Sequence, residues 1–297
     1  MKLKELFTAV IEHLEHADVF FGHAVGCAED EAVLLMMHVM DMGFEQLNAS
    51  ADRDLHAEQI NRANNLLHER ISTRKPLAYL LGFVFFAGLR FQVDERALVP
   101  RSPMAELIVN DLDSMTPLEC ALDLCTGSGC IGLALAHHHP QLHVDLVDID
   151  AEALALAEIN RQQLDLTDRT RILQSDLFTH VEGSYDLILT NPPYVSRDEY
   201  LALPEEYHIE PELGLVTEMN GMLIPVKILA EAANYLNDNG LLYLEVGYSD
   251  QILMDILPDV DFEWLEFAQG GQGICIFNRQ DLIRYRPLFE RLLATHV

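Results

Sequence analysis

Ala121-Leu122-Asp123-Leu124-Cys125-Thr126-Gly127-Ser128-Gly129-Cys130-Ile131-Gly132 reads as a strand, a glycine turn and the start of a helix. Gly127, Gly129 and Gly132 form a G-x-G-x-x-G, a pattern in which the glycines let the backbone come close to a ligand. Asp148 closes the next apolar run, 19 residues after Gly129 (148 − 129), near the ~20 expected for a carboxylate that binds ribose hydroxyls. Asp123 stands just before the glycines, where a carboxylate would repel a pyrophosphate, so it suits a ligand with an ammonium group. Gln174-Ser175-Asp176-Leu177 ends a third run and offers an acceptor for an adenine amino group and an apolar cover for its ring. Asp123 and Asp176 could instead cap helices, and Asp150 is expected to do so. Three acids on three successive strand ends favour a ligand site, because open parallel sheets bind at their carboxyl edge.

Outward from this turn, apolar strands are expected at Cys120–Leu124, His143–Val147, Arg171–Leu173, Asp186–Thr190 and Leu241–Val246, with helices between them, among them Ile131–His137, Ala151–Leu164 and Ile224–Leu236. Alternation of this kind predicts a mostly parallel, doubly wound α/β sheet of Rossmann-like type. Two closing strands, Phe262–Phe267 and Gly273–Phe277, predict an antiparallel strand at the edge, with Gly270-Gly271-Gln272 as the turn. Before the sheet, residues to about 72 carry helical periodicity in three stretches. Met36, Met37, Met40 and Met42 are read there as core. From Leu80 to Val99, β-branched and aromatic residues broken by Gly82 and Gly88 predict a hairpin. The expected division is a helical domain over 1–75, a β-hairpin linker over 76–104 and a catalytic domain over 105–297.

The fourth strand ends in Asn191-Pro192-Pro193-Tyr194. Neither proline donates a hydrogen bond, and each fixes its own φ, so the chain leaves the strand along one extended path. The result is a rigid, acceptor-rich cup with an aromatic wall, suited to a planar NH2 group that needs two acceptors and a stacking surface. The Asn191 side-chain oxygen and the Pro192 carbonyl are the expected acceptors, with Tyr194 over the amide plane.

Asp and Glu total 48 against 19 Lys and Arg, for a net charge of -29 over 297 residues. A field of that sign repels phosphate backbones and argues against direct nucleic-acid binding, while it speeds the approach of a basic protein. Two groups, Arg70-Arg74-Lys75 and Arg284-Arg286-Arg291, read as solvated helix ends. No run approaches the ~18 apolar residues of a membrane helix. The N-terminus reads as an amphipathic helix rather than a signal peptide, and five scattered cysteines fit reduced thiols in the cytoplasm. His137-His138-His139 are consecutive on a helix, point in different directions, and make a poor metal site.

With both motifs in view, nearly the whole chain resembles the HemK-type protein glutamine-N(5) methyltransferases, most closely the branch that modifies large-subunit ribosomal protein L-three. Pro100-Arg101-Ser102-Pro103-Met104-Ala105-Glu106 stands where the release-factor enzymes have Pro-Arg-Pro-Asp-Thr-Glu, and Cys125 replaces the glycine usual at the head of the loop. The resemblance implies a class I methyltransferase fold and S-adenosyl-L-methionine as cofactor. It assigns cofactor contacts to Thr126, Gly127, Ser128, Gly129, Asp148, Asp176, Leu177 and Asn191, and substrate contacts to Asn191, Pro192, Pro193 and Tyr194. It also implies a slot for a glutamine presented on a loop, with Glu210-Pro211 at its rim after a flexible stretch Ser196–His208. The N-terminal helices would choose the partner. Release factors are the alternative substrate. Adenine-N(6) methylation of nucleic acid fits the same cup but lacks a cationic track. A non-enzymatic nucleotide-binding adaptor would have no need of the intact Asn-Pro-Pro-Tyr, and a nicotinamide dehydrogenase conflicts with Asp123.

Overall fold

The computed structural model describes residues 1–23, 25–110, 112, 118–268 and 270–295. An N-terminal layer holds α1 (Leu3–His16), α2 (Ala28–Met40), α3 (Phe44–Ala49), α4 (Ala57–Thr73) and α5 (Leu77–Leu81). Leu6, Val10 and Leu14 on α1 pack with Leu35, Met36 and Val39 on α2 and with Ala63 and Leu67 on α4, the faces that helical periodicity selects. Met40 is buried with them, and Met37 and Met42 pack on that core from its edge. The short α3 is an addition to the three expected helices: Asp41 takes φ 51 and ends α2, and the Gly43 N–H that opens α3 donates to Gln46 Oε1.

The hairpin is tighter than its sequence limits. It comprises β1 (Phe83–Phe86) and β2 (Leu89–Gln92), joined by Ala87 and Gly88 at φ 48 and 78, the paired positive φ of a two-residue hairpin turn. Leu80 and Leu81 belong to α5 instead, whose Leu77 and Leu81 are buried in the helical core.

After α6 (Met104–Asn110) come β3 (Cys120–Leu124), α7 (Cys130–His138), β4 (His143–Asp148), α8 (Ala151–Gln163), β5 (Thr170–Gln174), β6 (Tyr185–Thr190), α9 (Arg197–Ala202), α10 (Leu223–Glu231), β7 (Leu236–Glu245), α11 (Asp250–Ile256), β8 (Glu263–Trp264), β9 (Ile274–Asn278) and α12 (Arg279–Ala294). The order is β5-β4-β3-β6-β7-β9-β8. Strands β3 to β7 are parallel, and β9 runs antiparallel beside β7, with only the two residues of β8 outside it. Both faces are covered. Ala121, Leu187, Leu189 and Tyr243 face one core, while Leu122, Leu124, Ile188, Leu242 and Leu244 face the other; this double burial is why the strands read as unbroken apolar runs.

The helix expected to reach Leu236 stops at Glu231, and after one 3-10 turn Leu236 already pairs with Tyr185. Pairing then skips from Leu236 to Leu241, so Asn237-Asp238-Asn239-Gly240, turn-forming residues, lie outside the ladder.

The third glycine of the turn sets how closely helix and sheet approach. A Cβ on Gly132 would run into the Leu146 side chain and lie 2.8 Å from Asp123 Cβ. Gly132→Ala is therefore expected to cost about 2 kcal/mol by overpacking, read as a lowered urea midpoint at unchanged slope.

Candidate functional site

Strand order reverses between β3 and β6, and at that switch point the carboxyl ends of β3, β4, β5, β6 and β7 surround a cavity of about 400 Å³. The linker over 96–102 and the segment over 211–218 close its other sides.

On one flank, Cys125, Gly127 and Gly129 take φ 62, 56 and 82. Cys125 thus occupies a backbone region that favours glycine. The Gly127 N–H donates to Asp148 Oδ2 at 2.8 Å, and the Asp150 N–H donates to Asp148 Oδ1 at 3.0 Å. Asp148 is thereby held against the turn, and burial raises its carboxyl despite these N–H bonds. Asp150 accepts from the Glu152 N–H and caps α8, as expected. Asp176 and Leu177 reach the wall from the end of β5, with Leu177 at φ 45, a strained setting for a branched side chain of the kind found at ligand clamps.

Thr126, Gly127, Ser128, Asp148, Asp176, Leu177, Asn191, Pro193 and Tyr194 all line this one cavity; Asp123, Gly129 and Pro192 do not. The expectation that Asp123 meets a ligand ammonium group is corrected here. Its side chain shares the Ala121 face of β3, beneath α7, and is fully buried. Its Oδ2 accepts from Thr126 Oγ1 at 2.5 Å and from the Gly132 N–H at 2.8 Å, so it braces the turn from behind. Burial pushes its carboxyl up to about 7. Gly129 faces Leu133 and Ala157, and Pro192 is buried.

The wall chemistry tests what the site can hold. Arg96 and Arg101 line it, but Arg96 is spent on Asp94 and Arg101 on Glu210. A phosphate would therefore meet carboxylates without a free cation. A nucleoside carrying a positive charge fits this donor set.

On the other flank, Thr190 Oγ1 donates to Leu124 O at 2.7 Å and ties the ends of β6 and β3 together. Asn191, half-buried, makes no side-chain hydrogen bond to the described residues. Tyr194 lies with its hydroxyl against Gly247, where a Cβ would come within 2.7 Å. The chain then runs out along 211–218, with the Val195 N–H donating to Leu215 O and the Thr217 N–H to Val195 O.

Sequence reading passed over Glu245, the last residue of β7, which is 5% exposed and accepts a hydrogen bond from Ser102 Oγ. Its signal was available: a lone carboxylate ending the apolar run Leu241-Leu242-Tyr243-Leu244, as Asp148 ends its own.

The stretch expected to be flexible is instead α9 followed by a 3-10 turn (Glu205–His208), and two buried carboxylates bind it to the N-terminal layer. Glu206 accepts from the Phe20 N–H at 2.8 Å and from Arg70 at 3.2 Å, and pairs with Arg74 at 3.2 Å. Arg70 also pairs with Glu31 at 2.5 Å. Arg70 is only 2% exposed, so the reading of Arg70 and Arg74 as solvated helix ends is corrected; their shared partner, Glu206, lies 136 residues from Arg70. Glu210 accepts both Arg101 Nη atoms, the Val99 N–H and a contact from His23 Nε2. Burial alone would raise its carboxyl, but Arg101 and His23 override that and hold it at about 2. Pro211, next in sequence, is on the cavity wall.

His138 and His139 bond separate carbonyls, of Ala87 and Ile108. Gly270 and Gly271, at φ 87 and 98, form part of the connection between β8 and β9. Among the described residues no helix is long and apolar enough to cross a membrane.

Two family models match the chain: a methyltransferase small domain over residues 103–204 and the PrmC N-terminal domain over residues 12–82. The ribosomal protein uL3 glutamine methyltransferase of Xanthomonas campestris pv. campestris is 45% identical, over 94% of this chain and 91% of that protein. The protein of the same name from Francisella tularensis subsp. tularensis is 38% identical, over 95% of this chain and 91% of its own. Among solved structures, the hMettl16 catalytic domain in complex with MAT2A 3'UTR hairpin 6 shares the fold with a TM-score of 0.52 at 16% identity, over 74% of this chain and 81% of that one.

Proposed function

This chain belongs to the ribosomal protein uL3 glutamine methyltransferases, and from that premise we propose how its site works on its substrate. The reaction is S-adenosylmethionine-dependent methylation of a glutamine side-chain nitrogen, with ribosomal protein uL3 as the protein methylated. When bound, S-adenosylmethionine supplies a methyl carbon made electrophilic by its sulfonium. Gly127 and Ser128 would lie along it, Asp148 would take the ribose hydroxyls, and Asp176 with Leu177 would take the adenine.

A carboxamide nitrogen is a poor nucleophile because its lone pair is delocalised into the carbonyl. The protein's task is therefore alignment. The Asn191 side-chain oxygen and the Pro192 carbonyl would accept the two amide hydrogens, turning the nitrogen toward the methyl carbon and favouring the positive charge that develops there. Pro193 holds the path of the chain and Tyr194 covers the amide plane. The observation that carries this reading is that Asn191 leaves β6 at the switch point, on the same cavity as Asp148 and Gly127.

The helical layer, taken as residues 1–75, would choose the partner, with the hairpin linker (76–104) and the catalytic domain (105–297) presenting the slot. A net charge of -29 favours a basic polypeptide such as a ribosomal protein over a nucleic acid. Labelled methyl donor offered in parallel to uL3, to release factors, and to DNA or RNA is expected to mark a glutamine of uL3. Label found solely in polynucleotide would overturn the reading.

A further inference from the structure

We propose that Glu245, anchored by Ser102, is the group that receives the proton leaving the methylated amide nitrogen. The inference rests on the glutamine methylation proposed above and assigns a second carboxyl-edge residue to it.

Strands β6 and β7 are parallel neighbours with Thr190 opposite Leu244. The next residues, Asn191 and Glu245, therefore leave the sheet side by side, and both line the cavity. The residues assigned to the methyl donor come from β3, β4 and β5, on the opposite flank of β6. Glu245 thus stands on the side of Asn191 away from the glycine turn, where the substrate amide would sit. Its anchoring is specific. Ser102 Oγ accepts the Met104 N–H at 3.1 Å and commits its own hydrogen to Glu245 Oε2. Among the described residues nothing donates to Glu245 Oε1, so one oxygen is fixed and the other remains available to an incoming group.

The chemistry needs such a group. The amide nitrogen's lone pair forms the new N–C bond, and the electron pair of the broken C–S bond stays on sulfur. The nitrogen then carries two hydrogens and a positive charge. One proton must leave, and neutral acceptors such as Asn191 Oδ1 can orient it but not keep it. The Glu245 carboxylate becomes a carboxyl group and returns the proton to water when product departs.

The charged and titratable groups facing Glu245 are Arg101 from the linker, Tyr194 after β6 and Cys130 at the start of α7. Burial pushes its carboxyl up to about 7 against the pull of the Ser102 hydroxyl and of Arg101. Below that pH it is protonated and cannot accept, so kcat is expected to rise as pH increases through about 7.

Glu245→Gln keeps the bond from Ser102 and removes the proton acceptor. In the full chain, with uL3 and labelled donor at pH 8, it is expected to lower kcat on the order of 10²-fold, the scale of one acid–base group. Donor affinity by calorimetry stays within about three-fold, because this side chain is on the substrate flank. Infrared titration of the donor-free protein isotope-labelled only at its glutamate side chains, which leaves the Asp123 carboxyl unlabelled, should show a carboxyl ionising near neutrality in wild type that is lost in Glu245→Gln. Ser102→Ala, which removes the hydrogen bond that favours the ionised form, should shift the kcat limb to higher pH, and it tests the idea independently should Glu245→Gln fold poorly. A Glu245→Gln enzyme with wild-type kcat, or a Ser102→Ala profile identical to wild type, overturns the proposal. Failure of wild type itself to label a uL3 glutamine would instead remove the reading beneath it.

Discussion

Asn191→Ala is expected to reduce turnover about 10³-fold while donor affinity stays within a few-fold, the loss typical of one preorganised polar contact at a reacting centre. The alanine removes the acceptor that would fix one of the two amide hydrogens, so the amide can turn about its bond to the side chain. The nitrogen, the methyl carbon and the sulfur are then in line only a small fraction of the time. Folding should be nearly unaffected, because Asn191 is half-buried and bonds no described side chain or backbone group. Single-turnover rates with saturating uL3, set beside calorimetric titration of the donor, separate the two quantities. A rate within ten-fold of wild type would show that the cup is not where the amide is aligned.

Arg70→Met is expected to cost about 3–5 kcal/mol of stability, the range for removing one partner of a buried ion pair. Glu31 and Glu206 are 2% and 0% exposed; Glu31 would be left facing protein without the guanidinium that compensates it, and Glu206 would keep only Arg74 and the Phe20 N–H. Phe20 O would lose its 2.8 Å donor as well. The measurement is the urea midpoint at neutral pH, where both carboxylates are ionised in the unfolded chain. A loss below about 1 kcal/mol would mean that water reaches this pair, since that is the scale of an exposed one. KM for uL3 should rise in the variant, because the chain that borders the cavity over 211–218 follows directly from the segment that Glu206 anchors.

Much of the catalytic half was legible because its signals are local. A strand end, a glycine turn and a proline pair each act through the backbone within a few residues, and the carboxyl-edge rule then placed Asp148, Asp176 and Asn191 around one cavity. Asp123 was misdirected by position alone. Period-two alternation from Ala121 assigns it to the α7 face of β3, and the small Gly132 opposite it makes room for a carboxylate there. Glu245 met the criterion used for Asp148 and was overlooked. Leu236 was absorbed into a helix because apolar periodicity does not register a four-residue excursion from a strand. The partners of Glu206 and Glu210 were beyond sequence reading: Phe20 and His23 lie 186 and 187 residues from them, and nothing in a one-dimensional pattern announces such a partner.

The two carboxylates that lock the front layer also bear on how new specificities could be made. A chimaera that exchanged only the first 75 residues for those of a relative would present Glu206 and Glu210 to a foreign surface. Unless the donor helices brought cations to the places of Arg70 and Arg74, Glu206 would sit dehydrated and unmatched at the seam, while Glu210 would keep Arg101 and lose its contact with His23. On the reading that the helical layer chooses the target, re-aiming such an enzyme would mean transplanting its electrostatic latch along with its helices.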